Sequence, residues 1–196
     1  MQTQPAWPLE TKAAPLLAQR AKQPFLVRVL HWVTALLVIG MLASGLIMVQ
    51  MDDADPMKYG IFYVWHQSIG IFTLASVNIR LVVRLRAKLL PTPETIAPIL
   101  RMLANTTYVV LYLLMVTVPV AGLVMTAAYP DGQGIPLFGL ALPSFMPPSK
   151  PIYDLAHTVH WMLAYGFGVL IAMHLIAALR HRFFDRPEND VLKRML

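Results

Sequence analysis

The chain has 196 residues, 57% of them hydrophobic and 13% charged, with a mean hydropathy of +0.59. Soluble domains carry roughly 25% charged residues, so a lipid surrounding and a single domain are expected. There is no cysteine, which excludes disulfides, cysteine-held iron–sulfur clusters and covalent attachment through a CxxCH motif.

Residues 1–24 hold Pro5, Pro8, Pro15 and Pro24 among scattered polar residues, with no apolar run of signal-peptide length. They read as a loosely ordered cytoplasmic tail, not a cleaved targeting segment. A bilayer core about 30 Å thick takes about 20 apolar residues of helix. Four stretches of residues 25–196 qualify: about Val29–Val49, Ile61–Val83, Thr107–Ala128 and Thr158–Leu179. The expected fold is an all-α membrane protein, a bundle of four transmembrane helices. Pro119 falls inside the third span, where neighbouring helices can satisfy the carbonyl it frees and a kink is expected. The connection from about Tyr129 to Tyr153 has six prolines and the apolar patch Leu137-Phe138-Gly139-Leu140, and reads as a partly buried outer cap. Trp32, Trp65 and Trp161 lie near span ends, as an interfacial aromatic belt requires.

The net charge of +6 and pI near 9.8 admit a nucleic-acid partner on composition alone. Placement argues otherwise. Fourteen of the 16 lysines and arginines fall in the amino-terminal tail, the second-to-third connection and the carboxyl tail, leaving only Lys58 and Lys150 opposite. By the positive-inside rule both termini are cytoplasmic. The other face is acidic, with Asp52, Asp53, Asp55, Asp131 and Asp154. The charge is a topology signal, and no nucleic-acid partner is expected.

Ionisable side chains inside spans are costly and usually functional. His160 and His174 stand 14 residues apart on the fourth span, about 40° short of four full turns and about 21 Å apart along the axis. One helix face thus offers ligands at two depths. His31 opens the first span level with His174, and His66 opens the second level with His160. Two pairs follow, His31 with His174 and His66 with His160. A haem bound edge-on between helices suits that geometry, since bundles build cofactor sites from facing side chains. Zinc or copper is the rival coordination chemistry. It wants three or four ligands at one depth, often with carboxylate or thiolate, whereas these histidines separate into twos.

Gly70, four residues after His66, leaves room on that face for a flat porphyrin, or alternatively for close helix packing. Arg80 lies 14 residues after His66 and reaches the depth of the cytoplasmic haem. It can pair with a propionate or serve as an ordinary positive-inside charge. His157 sits at the outer surface near His160. His181 sits at the cytoplasmic boundary, where a protonatable group can serve quinone reduction or simply be solvated among arginines.

These residues resemble the bacterial cytochrome b561 family over about 25–196. The resemblance rests on Arg28-Val29-Leu30-His31-Trp32, on His66-Gln67-Ser68-Ile69-Gly70 with Ile79-Arg80-Leu81, and on Tyr112-Leu113-Leu114. It continues through Pro119-Val120-Ala121-Gly122-Leu123, Phe138-Gly139-Leu140 to Pro143, and His160 to His174 with His181 beyond. The family's iron ligands fall on His31, His66, His160 and His174. The resemblance implies a diheme b-type cytochrome of the bacterial inner membrane, passing electrons between the outer face and the quinone pool. The family includes a superoxide oxidase that reduces ubiquinone, and haem-bearing subunits that serve membrane hydrogenases and formate dehydrogenases. For superoxide, an outer cation such as Lys150 beside the His157-bearing helix would attract the anion. For the quinone, Arg80, Tyr108 and His181 are the candidates by depth. The chain departs from the family pattern in its long amino-terminal extension and in His157.

Overall fold

The computed structural model describes residues 22–196; of the tail read over residues 1–24, residues 1–21 lie outside the described residues, and Lys22, Gln23 and Pro24 lead into the first helix with Lys22 and Gln23 hydrogen-bonded to the chain's last residues. Four helices run through it: α1 (Phe25–Gln50), α2 (Val64–Arg86), α3 (Pro98–Ala127) and α4 (Lys150–Phe183). A π-helical turn, Lys58–Tyr63, leads straight into α2, and all four segments are long and apolar enough to cross a membrane.

α1, α3 and α4 begin before their hydrophobic stretches because backbone hydrogen bonding does not stop where lipid stops. α3 begins about nine residues before Thr107 and α4 eight before Thr158. Each has a proline in its first turn, where the missing N–H would have had no helical partner anyway. Pro119 sits inside a continuous α3.

Consecutive helices pack as neighbours, α1 on α2, α2 on α3 and α3 on α4. Polar residues buried in them are satisfied locally. Thr34, Ser68, Thr73 and Thr126 each donate their hydroxyl to the carbonyl four residues earlier, the partner available where water is absent. Mid-bundle, Val38, Val77, Met115, Val118 and Phe167 form the buried core. Phe167 stands seven residues from both His160 and His174.

The two ends differ. At one, here the terminal end, the chain's last residues are stitched to its described start. Gln23 N–H donates to the Arg194 carbonyl at 2.9 Å, and the Trp32 indole donates to Met195 at 2.8 Å. Gln23 and Leu90 exchange two hydrogen bonds, and Arg194 donates to the Pro91 carbonyl. At the other, the hairpin end, β1 (Ile135–Leu137) pairs antiparallel with β2 (Leu140–Leu142). Its two-residue turn puts Phe138 at φ 48° and Gly139 at φ 89°, the doubly positive geometry whose twist suits a tight hairpin. Ser68 on α2, fully buried, accepts the Phe138 N–H at 2.8 Å. That bond pins the turn to the bundle, and Phe138 meets the edge of Trp65 at 5.6 Å.

Candidate functional site

The polar chemistry of the bundle collects at two levels. At the hairpin end, His66 of α2 faces His160 of α4, with ring centroids 6.3 Å apart and planes at 86°. Ser44 Oγ lies 2.9 Å from the Met41 carbonyl and 2.8 Å from His66 Nδ1. A hydroxyl has one proton to give. Ser44 gives it to Met41, which can only accept, and so receives a hydrogen bond from His66 Nδ1–H. His160 Nδ1–H in turn donates to the Val118 carbonyl at 2.9 Å. With Nδ1 as the donor in both contacts, each ring leaves Nε2 for a metal, the form in which imidazole binds one.

Two facing imidazoles that border one cavity are a donor set that suits a haem iron. A cavity of about 730 Å³ adjoins the pair, bordered among others by Gly70, Met115, Phe167 and Lys58. Room for the rings comes from glycines. A β-carbon on Gly122 would stand 3.0 Å from His160 Cε1, and one on Gly45 3.7 Å from His66 Cε1. Gly70 has a similar relation to the Met41 methyl, at 3.4 Å.

The terminal level is built differently. Arg80 donates to His31 Nδ1 at 2.9 Å. Arginine is always a donor, so His31 carries its lone pair on Nδ1, the reverse of the other two rings. The Arg80 guanidinium also lies 5.3 Å from the Tyr112 ring centre. Arg84 spans the Tyr108 and Tyr112 rings at 5.3 and 5.7 Å, and Tyr108 meets His174 edge-on at 6.3 Å. His31 and His174 are thus linked through an arginine–tyrosine stack. The sequence supplies no Asp or Glu in α1, α2 or α3, so neither cation has an acidic residue on its own or a neighbouring span of those three. The level presents positive charge to an anion.

The remaining sequence-derived residues are distributed as follows. His157 is exposed, borders the cavity and stacks on Tyr153 at 6.1 Å. Lys150 has a side chain 73% exposed, holds both Asp154 oxygens at 2.9 and 2.7 Å and does not line the cavity. His181 Nδ1 pairs with Asp185 at 2.7 Å. The Asn189 amide, the Arg186 N–H and His181 together push the Asp185 carboxyl down to about 2. Asn189 is itself buried and takes a hydrogen bond from Thr95.

Sequence reasoning did not find Ser44, Gly45, Gly122 or the Val118 carbonyl, since each matters only through a contact across helices. Arg84 was within reach. It follows Arg80 by four residues and so shares its helix face.

The family model described as prokaryotic cytochrome b561 matches residues 22–196. Among curated relatives, cytochrome b561 homolog 2 of Escherichia coli (strain K12) is 34% identical over 170 residues, covering 85% of this chain and 86% of the relative. The probable superoxide oxidase CybB of Yersinia pestis is 28% identical over 170 residues, covering 85% and 91%.

Proposed function

Because the chain belongs to the prokaryotic cytochrome b561 family, whose members carry haem b and move electrons in membranes, we propose that it is a diheme superoxide:ubiquinone oxidoreductase of the bacterial inner membrane. In this reading His66 with His160 would hold one iron, and His31 with His174 the other. The observation that carries this is the His66–His160 pair, with the centroids 6.3 Å apart beside a shared cavity and each Nδ1 on a hydrogen-bond partner. The basic tails and second-to-third connection support cytoplasmic termini, which makes the hairpin end periplasmic.

Each bound haem supplies a one-electron store; the rest is the chain's work. At the hairpin end the cavity beside His160 and His157 admits a small reductant. A superoxide anion gives up one electron there and departs as O2, with no bond made or broken. Two such events furnish the two electrons that, with two protons, turn ubiquinone into ubiquinol. The core around Phe167 lies between the two levels and borders the cavity at the hairpin end. At the terminal end, holding iron through His31 Nε2 needs a proton on Nδ1, where Arg80 now donates. With a haem bound, Arg80 would be the residue to pair with an anionic group such as a propionate. Arg80, Tyr108 and His181 are the proposed quinone residues, with His181 held against Asp185 as the proton-bearing group. The superoxide assignment is supported by the name of the Yersinia relative, at 28% identity.

The test is an absorbance time course on the purified, oxidised protein under a steady enzymatic flux of superoxide with ubiquinone present. The expected outcome is rapid haem reduction followed by ubiquinol, both abolished by superoxide dismutase. Haem bands that respond to dithionite but ignore superoxide would overturn the substrate.

One observation favours a second reading, an electron-transfer subunit linking a periplasmic dehydrogenase or hydrogenase to the quinone pool. Phe138, Leu140, Leu142 and Phe145 are all exposed on the hairpin cap, and an apolar patch of that kind suits a docked protein. A partner that co-purifies in mild detergent and reduces the haems faster than superoxide does would favour it.

A further inference from the structure

Lys150 and Lys58 are the two basic residues of the hairpin half, and the structure separates their roles. Lys150 is spent on Asp154 in solvent. Lys58 is 7% exposed, borders the cavity that His66 and His160 share, and sits at the start of the π-helical turn. Such turns are rare and gather at functional sites. A buried lysine keeps its charge only if it is held. Lys58 Nζ donates to the Met51 carbonyl at 3.0 Å and to Asp53 at 2.5 Å. Asp53 is the opposite case, its side chain 83% exposed. It also receives the Tyr59 hydroxyl at 3.2 Å. Both partners border the cavity, Lys58 buried and Asp53 largely open to solvent.

Around it the face repels anions. Asp52, Asp55 and Asp131 are loop carboxylates, and Asp154 cancels Lys150. An approaching anion meets carboxylates over this face, Asp53 at the cavity included, and Lys58 is the cation that offsets them there.

We propose that Lys58 is the specificity-determining cation for anionic one-electron donors at this cavity, and that Asp53 is a latch that holds it there while masking part of its charge. The proposal rests on the electron-transfer reading above and replaces Lys150 as the steering group. The step served is a one-electron oxidation: superoxide yields its electron to the haem b beside His66 and leaves as O2. What Lys58 adds is local concentration of the anion, a rate effect that falls with ionic strength.

The experiment uses the full-length, haem-loaded protein and three donors: superoxide, the sulfur dioxide radical anion from dithionite, and a neutral hydroquinone. Lys58→Gln should slow both anionic donors roughly fivefold, about the Boltzmann factor for one unit charge at contact in water, and flatten their salt dependence. Asp53→Asn keeps an acceptor for Lys58 but loses the negative charge, and should speed both anions. The neutral donor should be unmoved in either variant, and Lys58→Arg should restore the wild-type rates. A readout independent of turnover is the midpoint potential of the haem at this end, which should fall in Lys58→Gln and rise in Asp53→Asn. If superoxide does not react with the wild type while the dithionite radical still tracks charge at Lys58 and Asp53, the superoxide reading fails and this one stands. Equal effects on anionic and neutral donors, or no effect of either variant on anions and potential, would overturn it. Asp53→Asn and Lys58→Arg decide the matter even if Lys58→Gln does not fold.

Discussion

His160 packs directly against Gly122: a β-carbon there would stand 3.0 Å from Cε1 and 3.1 Å from Nδ1. The same ring is tethered one turn away by its hydrogen bond to the Val118 carbonyl, so it cannot retreat without breaking that bond. Val118 immediately precedes Pro119. The run Pro119-Val120-Ala121-Gly122-Leu123 thus acts as a seat for an imidazole on the facing helix.

Gly122→Ala should therefore displace His160 and cost one haem. Overpacking of this size costs about 1–3 kcal/mol, and the bent ring loses its aim at the metal. Haem per protein, measured as the pyridine haemochrome, should drop from two to about one. Gly45→Ala is the matched control, since its contact with His66 at 3.7 Å is ordinary van der Waals distance, and it should keep both.

His66→Ala and His174→Ala should each remove a different haem. The two single variants should show distinct α-band positions at half the wild-type haem content, and the double variant should be colourless. Unchanged haem in both singles would end the proposed pairing.

Ser44→Ala should leave the fold intact and loosen the haem at the hairpin end. Losing a partner of this kind typically costs 10–100-fold in metal affinity. Without an acceptor for Nδ1–H, His66 becomes a poorer electron donor to the iron, so the midpoint potential of that haem alone should rise. Ser44→Thr, which retains the hydroxyl, should restore it.

The Asp185 contacts predict a pH window. Its folded-state value of about 2 lies below the ordinary carboxylate value near 3.9. The folded state therefore prefers the charged form, and the contribution to stability is complete above about pH 4 and fades as pH falls toward 2. Melting temperature in detergent should decline through that interval, and Asp185→Asn should decline less steeply there.

How much was legible beforehand depends on how local each cause is. The 14-residue separation of His160 and His174 follows from helix periodicity alone, so spacing selected both before any contact was known. The bond from His66 to Ser44 joins helices whose register no single-chain pattern reveals. The hairpin shows the same limit. Leu137-Phe138-Gly139-Leu140 could be read as a cap, but not as a two-residue turn, because Phe at positive φ is locally unfavourable. Tertiary anchors decide it: the hydrogen bond to Ser68 and the ring contact with Trp65. Hydropathy likewise found the apolar heart of each helix and not its ends, since Pro98 and Lys150 begin helices in residues that lipid would not select.

One member of each proposed histidine pair rides on α4, the last of the four long helices. Synthesis runs from the amino terminus, so His31 and His66 enter the membrane before either partner exists. A three-helix nascent chain carries two solitary imidazoles and encloses neither site. On the proposed pairing, cofactor capture would be a late event in biogenesis, gated by the insertion of residues 150–183. A chain stalled before that point reaches the quality-control machinery as an apoprotein with its polar interior open.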